Sequence, residues 1–347
     1  MGGGSVSGSL RAIIFFNSEN LNLLARPGVS IRGLEGQGEN FLIVPSLECP
    51  SINPGQPPKL TSQQKDKRGV TVKLCRFNDN RLGVIEGDEV LDVSAALEVL
   101  PAVRWPWPAG DAICAHWAAI RPEIEAARAT ASRHALAAVA LRSPVANPGK
   151  IIGIARNRKS LEAENLNLGT VSGNARSDSD LIFMFIKANS ALGGPSDGIR
   201  LRFTDRRNDP EAELTIVIGK GGTDIARADA LDHVLGYTIG IDMTLRGKES
   251  QSSRKSIDSY ALIGPCVATA DEIPDPDSLG FSLAINGREI QRSNTSELAF
   301  DIASLIAHAS SFYTLHPGDL IMAGTPVGFE PVHAGDTMDV AFDVIGA

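Results

Sequence analysis

Glu211-Ala212-Glu213 opens a run of β-prone residues that continues to Ile218. Side chains two apart on a strand share a face, so the run predicts two carboxylates standing side by side. Adjacent buried anions repel and are costly to desolvate, so something positive must sit between them: a metal ion, or Lys and Arg. On a solvated edge strand the same pair would be two surface glutamates, and the pair alone leaves both readings open. Asp242 follows a second β-prone run, 236–241, with Thr238 and Gly240 on its face. Two small residues beneath an aspartate predict room for a ligand. With the glutamates, Asp242 would complete an all-oxygen set suited to Mg²⁺, Mn²⁺ or Ca²⁺ rather than Zn²⁺. The alternative is an aspartate that caps the turn after its strand.

Cationic candidates lie close by in sequence. Arg246 is four residues past Asp242, Arg254-Lys255 follow, and Lys187 ends another β-prone run. Arg254 reads as a solvated surface charge, whereas Lys255 leads into an apolar segment that enters the core. Gly324-Thr325-Pro326 follows an apolar run, 320–323. A glycine turn at a strand end exposes backbone N–H groups that hold a carboxylate or oxyanion; taken alone it is only a turn.

The elements that must position these groups are mostly strands. Runs 150–154, 182–186, 211–218 and 236–241 are apolar and β-prone, and 281–291 reads as a hairpin turning at Asn286-Gly287. Asn294 with Glu297 resembles a capping box, and Leu298, Ile302, Leu305, Ile306 and Ala309 form the stripe of a helix behind it. Upstream, 70–93 reads as a small β meander and 123–141 as an Ala-rich helix after Pro122. The Pro-rich, then charged stretch 52–68 reads as a linker. The predicted organisation is an N-terminal extension at 1–69, partly disordered, a small domain at 70–147 and a larger domain at 148–347.

The 347 residues carry 33 Lys and Arg against 41 Asp and Glu, a net charge of −8. That balance argues against a nucleic-acid partner. No apolar run approaches the roughly 20 residues needed to span a bilayer. The opening Met1-Gly2-Gly3-Gly4-Ser5-Val6 has no secretory pattern, and Val6 disfavours acylation at Gly2. Cys49, Cys75, Cys114 and Cys266 are far apart, as expected of free thiols in a reducing, cytoplasmic compartment.

The segments together resemble the fumarylacetoacetate hydrolase family across residues 70–347. The likeness rests on Glu211-Ala212-Glu213-Leu214, the 236–246 segment ending Asp242-Met243-Thr244-Leu245-Arg246, and Lys255 with 256–265. It continues through Asn286-Gly287, Gln291-Arg292-Ser293-Asn294-Thr295 and the 315–326 segment ending Gly324-Thr325-Pro326. The resemblance implies a mainly β fold with some α, a mixed β-roll of packed sheets preceded by a small α+β module, and a homodimer. It implies a metal (Mg²⁺, or Mn²⁺ or Ca²⁺) on Glu211, Glu213 and Asp242. It implies substrate or oxyanion contacts from Lys255, Arg246, Lys187 and Thr325, beside Gly324. The implied substrates are small 2-oxo or 1,3-dioxo acids, handled through a metal-held enol or enolate. C–C hydrolysis of the acylpyruvate or fumarylpyruvate type leads; isomerisation, hydration and oxaloacetate-type decarboxylation are the alternatives.

The chain departs from the family near its lid. Where members carry Asn-Tyr, then His and Glu at three-residue steps, this chain has Asn157-Arg158, Leu161 and Glu164. A two-residue shift would pair Lys159 with Glu162 instead. Glu164 is then the candidate base, with Lys159 or Arg158 supplying positive charge. A family Gln is Glu249 here, and a family acidic residue is Gly247. The polar stretch 160–180 reads as a mobile lid. Loss of the histidine also leaves open a homologue that binds metal and ligand without turnover.

Overall fold

The computed structural model describes residues 72–159, 182–325, 328 and 330–346, together with the backbone of three two-residue strands at 10–11, 41–42 and 46–47. Alternating apolar residues form β1 (Lys73–Phe77), β2 (Arg81–Glu86) and β3 (Glu89–Asp92), as the meander requires. The short helix α1 (Ala112–Ala115) leads into α2 (Trp117–Arg128). The expected helix at 123–141 is thus displaced: α2 starts before Pro122, which lies inside it, and ends at Arg128. Residues beyond it form β4 (Ser132–Ala135), which pairs with β3. The available strand edge outweighs the helix propensity of an Ala-rich segment.

The larger region supplies β5 (Ile151–Ala155), β6 (Phe183–Lys187), β7 (Asn208–Ile218), β8 (Val234–Leu245), α3 (Gln251–Lys255) and β9 (Ala261–Thr269). Then come the hairpin β10 (Gly280–Ile285) and β11 (Arg288–Asn294), α4 (Ile302–Phe312), β12 (Leu320–Met322) and β13 (Met338–Phe342). One mixed sheet runs β6-β5-β12-β7-β8-β9-β1-β2-β3-β4, and β11-β10-β13 forms a separate antiparallel sheet. Pairing of Val267 with Leu74 and of Ala268 with Lys73 carries the large sheet across into the N-terminal strands.

The capping box at Asn294 and Glu297 belongs to a 3₁₀ turn, where Asn294 Oδ1 accepts from Ser296 N–H (2.9 Å). The helix begins later, at Ile302, where Asp301 Oδ1 accepts from Ser304 N–H (2.8 Å). Its buried stripe Ile302, Leu305, Ile306 and Ala309 joins the main core. That core also takes Ala212, Leu214 and Ile216 from β7 and Tyr237, Ile239 and Ile241 from β8. One face of each strand is therefore committed to apolar packing, and alternation leaves the other face to the site.

Candidate active site

β7 lies inside the sheet between β8 and β12, so its glutamates do not stand on an edge strand. Register pairs Glu211 with Asp242 and Glu213 with Gly240, which turns all three carboxylates to one face. Glu211, Glu213 and Asp242 are each buried, and one ligand oxygen from each lies within 4.8 Å of the other two. This donor set fits one hard divalent cation. The room expected beneath Asp242 is filled by protein: a Cβ at Gly240 would stand 2.2 Å from Thr215 Oγ1 and 2.8 Å from Met322 Cε. Gly240 is required for strand packing there.

Two lysines meet the carboxylates. Lys255 Nζ donates to Glu211 Oε2 (2.7 Å) and to Asp242 Oδ2 (2.6 Å), and lies 5.0 Å from the centre of the Phe185 ring. Lys187 Nζ donates to Asp242 Oδ1 (2.5 Å) and to the Lys255 carbonyl. Burial opposes ionisation of Asp242, but Lys187 and Lys255 outweigh it and hold the carboxyl below its ordinary range. Burial, then the neighbouring charge of Asp242, drives Glu213 well above its ordinary value. Burial also depresses the Lys187 ammonium, whereas in Lys255 the three carboxylates overcome burial and raise it. The cluster thus brings three carboxylates and two lysines together away from water.

Arg246 Nε donates to Asp209 Oδ2 (2.6 Å) and Arg246 Nη2 to Glu211 Oε1 (3.2 Å), which also accepts from Thr244 Oγ1 (3.1 Å). Arg207 Nε donates to Asp209 Oδ1 (2.7 Å). Gly324, at a φ of +95° where a Cβ would meet Asn157 Cβ at 2.9 Å, gives its N–H to Glu213 Oε2 (2.8 Å). The amide expected to hold a carboxylate or oxyanion holds the carboxylate of Glu213. Thr325 Oγ1 accepts from Gln291 Nε2 (3.0 Å), both buried beside that turn. Asn157 braces the turn from behind: its Nδ2 donates to the Ala323 carbonyl (2.8 Å), and its Oδ1 accepts from Phe300 N–H (2.7 Å).

Other expected residues lie apart from this cluster. Lys159 is exposed and gives its ammonium to the Ser296 carbonyl (2.7 Å). Leu161, Glu162, Glu164 and the expected lid lie outside the described residues, as does Pro326. Glu249 is gripped by Arg206 through Nη1 to Oε1 (2.9 Å) and Nη2 to Oε2 (2.8 Å), which lowers its carboxyl to about 2. Arg254 is buried, not solvated: its Nε donates to the Glu249 carbonyl (2.9 Å). Asp209, Thr244 and Gln291 went unrecognised as members of the site. The i, i+2 alternation that linked Glu211 to Glu213 also reaches Asp209, but the expected strand opened only at Glu211.

Comparison with known proteins bears on this arrangement. Residues 150–347 match the family described as fumarylacetoacetate (FAA) hydrolase, C-terminal. The chain is 48% identical over 278 residues to the maleylpyruvate hydrolase of Aquipseudomonas alcaligenes, covering 79% of this chain and 97% of that one. It is 37% identical over 222 residues to the mitochondrial oxaloacetate tautomerase of Xenopus laevis, covering 60% and 67%. A crystal structure of maleylpyruvate hydrolase from Sphingobium sp. SYK-6, in complex with manganese(II) and pyruvate, aligns with a TM-score of 0.66 and 36% identity. It covers 79% of this chain and 96% of that one.

Proposed function

The chain belongs to the fumarylacetoacetate hydrolase family of enzymes, and on that premise we propose that it cleaves a C–C bond of a small 2-oxo acid of the maleylpyruvate type, using Mg²⁺ or Mn²⁺. The observation that carries this reading is the convergence of Glu211, Glu213 and Asp242 on one buried face. A divalent cation bound there supplies a chelation point for the acid's carboxylate and keto oxygens and positive charge for the enolate formed on cleavage.

The protein's own groups do the rest. Lys255 and Arg246 flank Glu211 from two sides, and their charges balance the substrate's anionic end. Gly324 fixes Glu213, and Thr325, whose Oγ1 accepts from Gln291, is the group proposed to orient the far end of the ligand. Glu164 is the proposed base: it takes a proton from water, whose hydroxyl adds to the acyl carbon. The bond to the pyruvate methylene breaks, and that carbon takes the proton. The products are pyruvate and a second carboxylic acid. A homodimer in the cytoplasm belongs to the same reading; no helix among the described residues is long and apolar enough to cross a membrane.

Leu161 in place of the family histidine favours a second reading, keto–enol tautomerisation, which needs no activated water. The purified protein with Mn²⁺, Mg²⁺ or EDTA, incubated with maleylpyruvate, fumarylpyruvate, acylpyruvates and oxaloacetate, separates the two by product NMR. Metal-dependent release of pyruvate supports hydrolysis, and enol–keto exchange without cleavage supports the second reading. No turnover on any of these acids overturns both and leaves a binding protein.

A further inference from the structure

Asp209 is fully buried, lies outside the acidic triad and shares the face of Glu211 and Glu213 at two-residue spacing on β7. A carboxylate buried beside others is costly unless it is paired. Two guanidiniums meet it, Arg207 on Oδ1 and Arg246 on Oδ2, each through Nε. Arg246 reaches in the same posture to Glu211 Oε1, while Lys255 takes Glu211 Oε2. Both oxygens of one candidate metal ligand are thus in contact with side-chain cations, and any cation bound to Glu211 must compete with them.

We propose that Asp209 is a positioning residue for the metal centre: it anchors Arg246 at Nε and so limits the hold of that guanidinium on Glu211. The 2.6 Å contact to Asp209 against 3.2 Å to Glu211 shows which carboxylate holds Arg246 more closely. Neutralising Asp209 loosens its hold on Arg246, and the closer charge-assisted contact of that guanidinium to Glu211 Oε1 competes with the metal.

The inference rests on the metal reading above, and Mn²⁺ binding to the wild-type chain, followed by EPR or calorimetry, tests that reading by itself. Given wild-type binding, Asp209→Asn is expected to raise the Mn²⁺ Kd by about 10- to 100-fold, the usual effect of losing a partner of a metal ligand. Adding Arg246→Gln to Asp209→Asn is expected to recover most of that loss, because the competing cation is gone. A residue that served packing alone would show no such recovery. Wild-type affinity in folded Asp209→Asn, or no recovery in the double variant, overturns the proposal. If Asp209→Asn fails to fold, Arg207→Gln decides: with Arg207 gone, Asp209 draws Arg246 harder and Mn²⁺ binds two- to three-fold more tightly. Unchanged or weaker binding there overturns the proposal.

Discussion

The β7–β8 pair and the β10–β11 hairpin are both antiparallel, and both are laced with ion pairs, yet they use charge in opposite ways. On β10–β11, Arg292 Nε donates to Glu289 (2.9 Å) with side chains 70% and 45% exposed, and Arg288 pairs with Glu330 in similar exposure. On β7–β8, Lys255 meets Glu211 and Asp242 with all three side chains at most 11% exposed. Water screens the first set, which therefore adds little to stability. The second set has lost that solvation and depends on each partner being in place. A chain that keeps so many charges in its interior accepts a cost in folding, as functional sites commonly do.

That contrast can be broken by mutation, and the largest effect falls at the centre of the buried set. Glu213→Ala is expected to abolish metal binding and turnover together, lowering kcat/KM by roughly a thousand-fold or more. Titration with Mn²⁺ alongside the product assay checks it; full activity in that variant removes the metal assignment. Lys255→Met leaves Glu211 and Asp242 without their shared ammonium. It should destabilise the metal-free protein by about 3–5 kcal/mol in urea unfolding, the usual result of stripping one partner from a buried pair. A loss below about 1 kcal/mol would show that the lysine balances no net charge.

Metal itself sharpens the comparison more gently. At about 100 times its Kd, Mn²⁺ should add roughly 2.7 kcal/mol to the wild-type stability. The increment should vanish in EDTA and in Glu213→Ala. Smallest of all, Arg292→Ala on the exposed hairpin should move Tm by no more than about 2 °C and leave kcat and KM as they are, read by calorimetry and the same assay. A large change there would mean that the hairpin is coupled to the site.

Much of this division was legible in the residues. Apolar, β-prone runs placed β5 to β8 within a few residues of their ends, and i, i+2 spacing put Glu211 and Glu213 on one face. What local pattern could not supply was the partner of each charge. Lys187 and Lys255 were expected near the ligand, but that both ammoniums would meet on Asp242 is set by how β6 and α3 pack beside β8, which local pattern does not reveal. Asp209 lay outside the expected strand, which opened at Glu211, whereas β7 starts at Asn208 and carries Asp209 to its contact with Arg246. Helix ends were displaced for a similar reason. At 132–135 a free strand edge, and at 302 the side chain of Asp301, decided where each helix stops or begins.

Anomalous diffraction from crystals grown with Mn²⁺ puts the whole account at risk in one experiment. The expected result is a single manganese peak per chain, roughly 2.0–2.6 Å from one oxygen each of Glu211, Glu213 and Asp242, with Lys255 Nζ moved off the line between its two carboxylates. A protein that binds no manganese at millimolar metal, or binds it elsewhere with Lys255 still bridging Glu211 and Asp242, contradicts it.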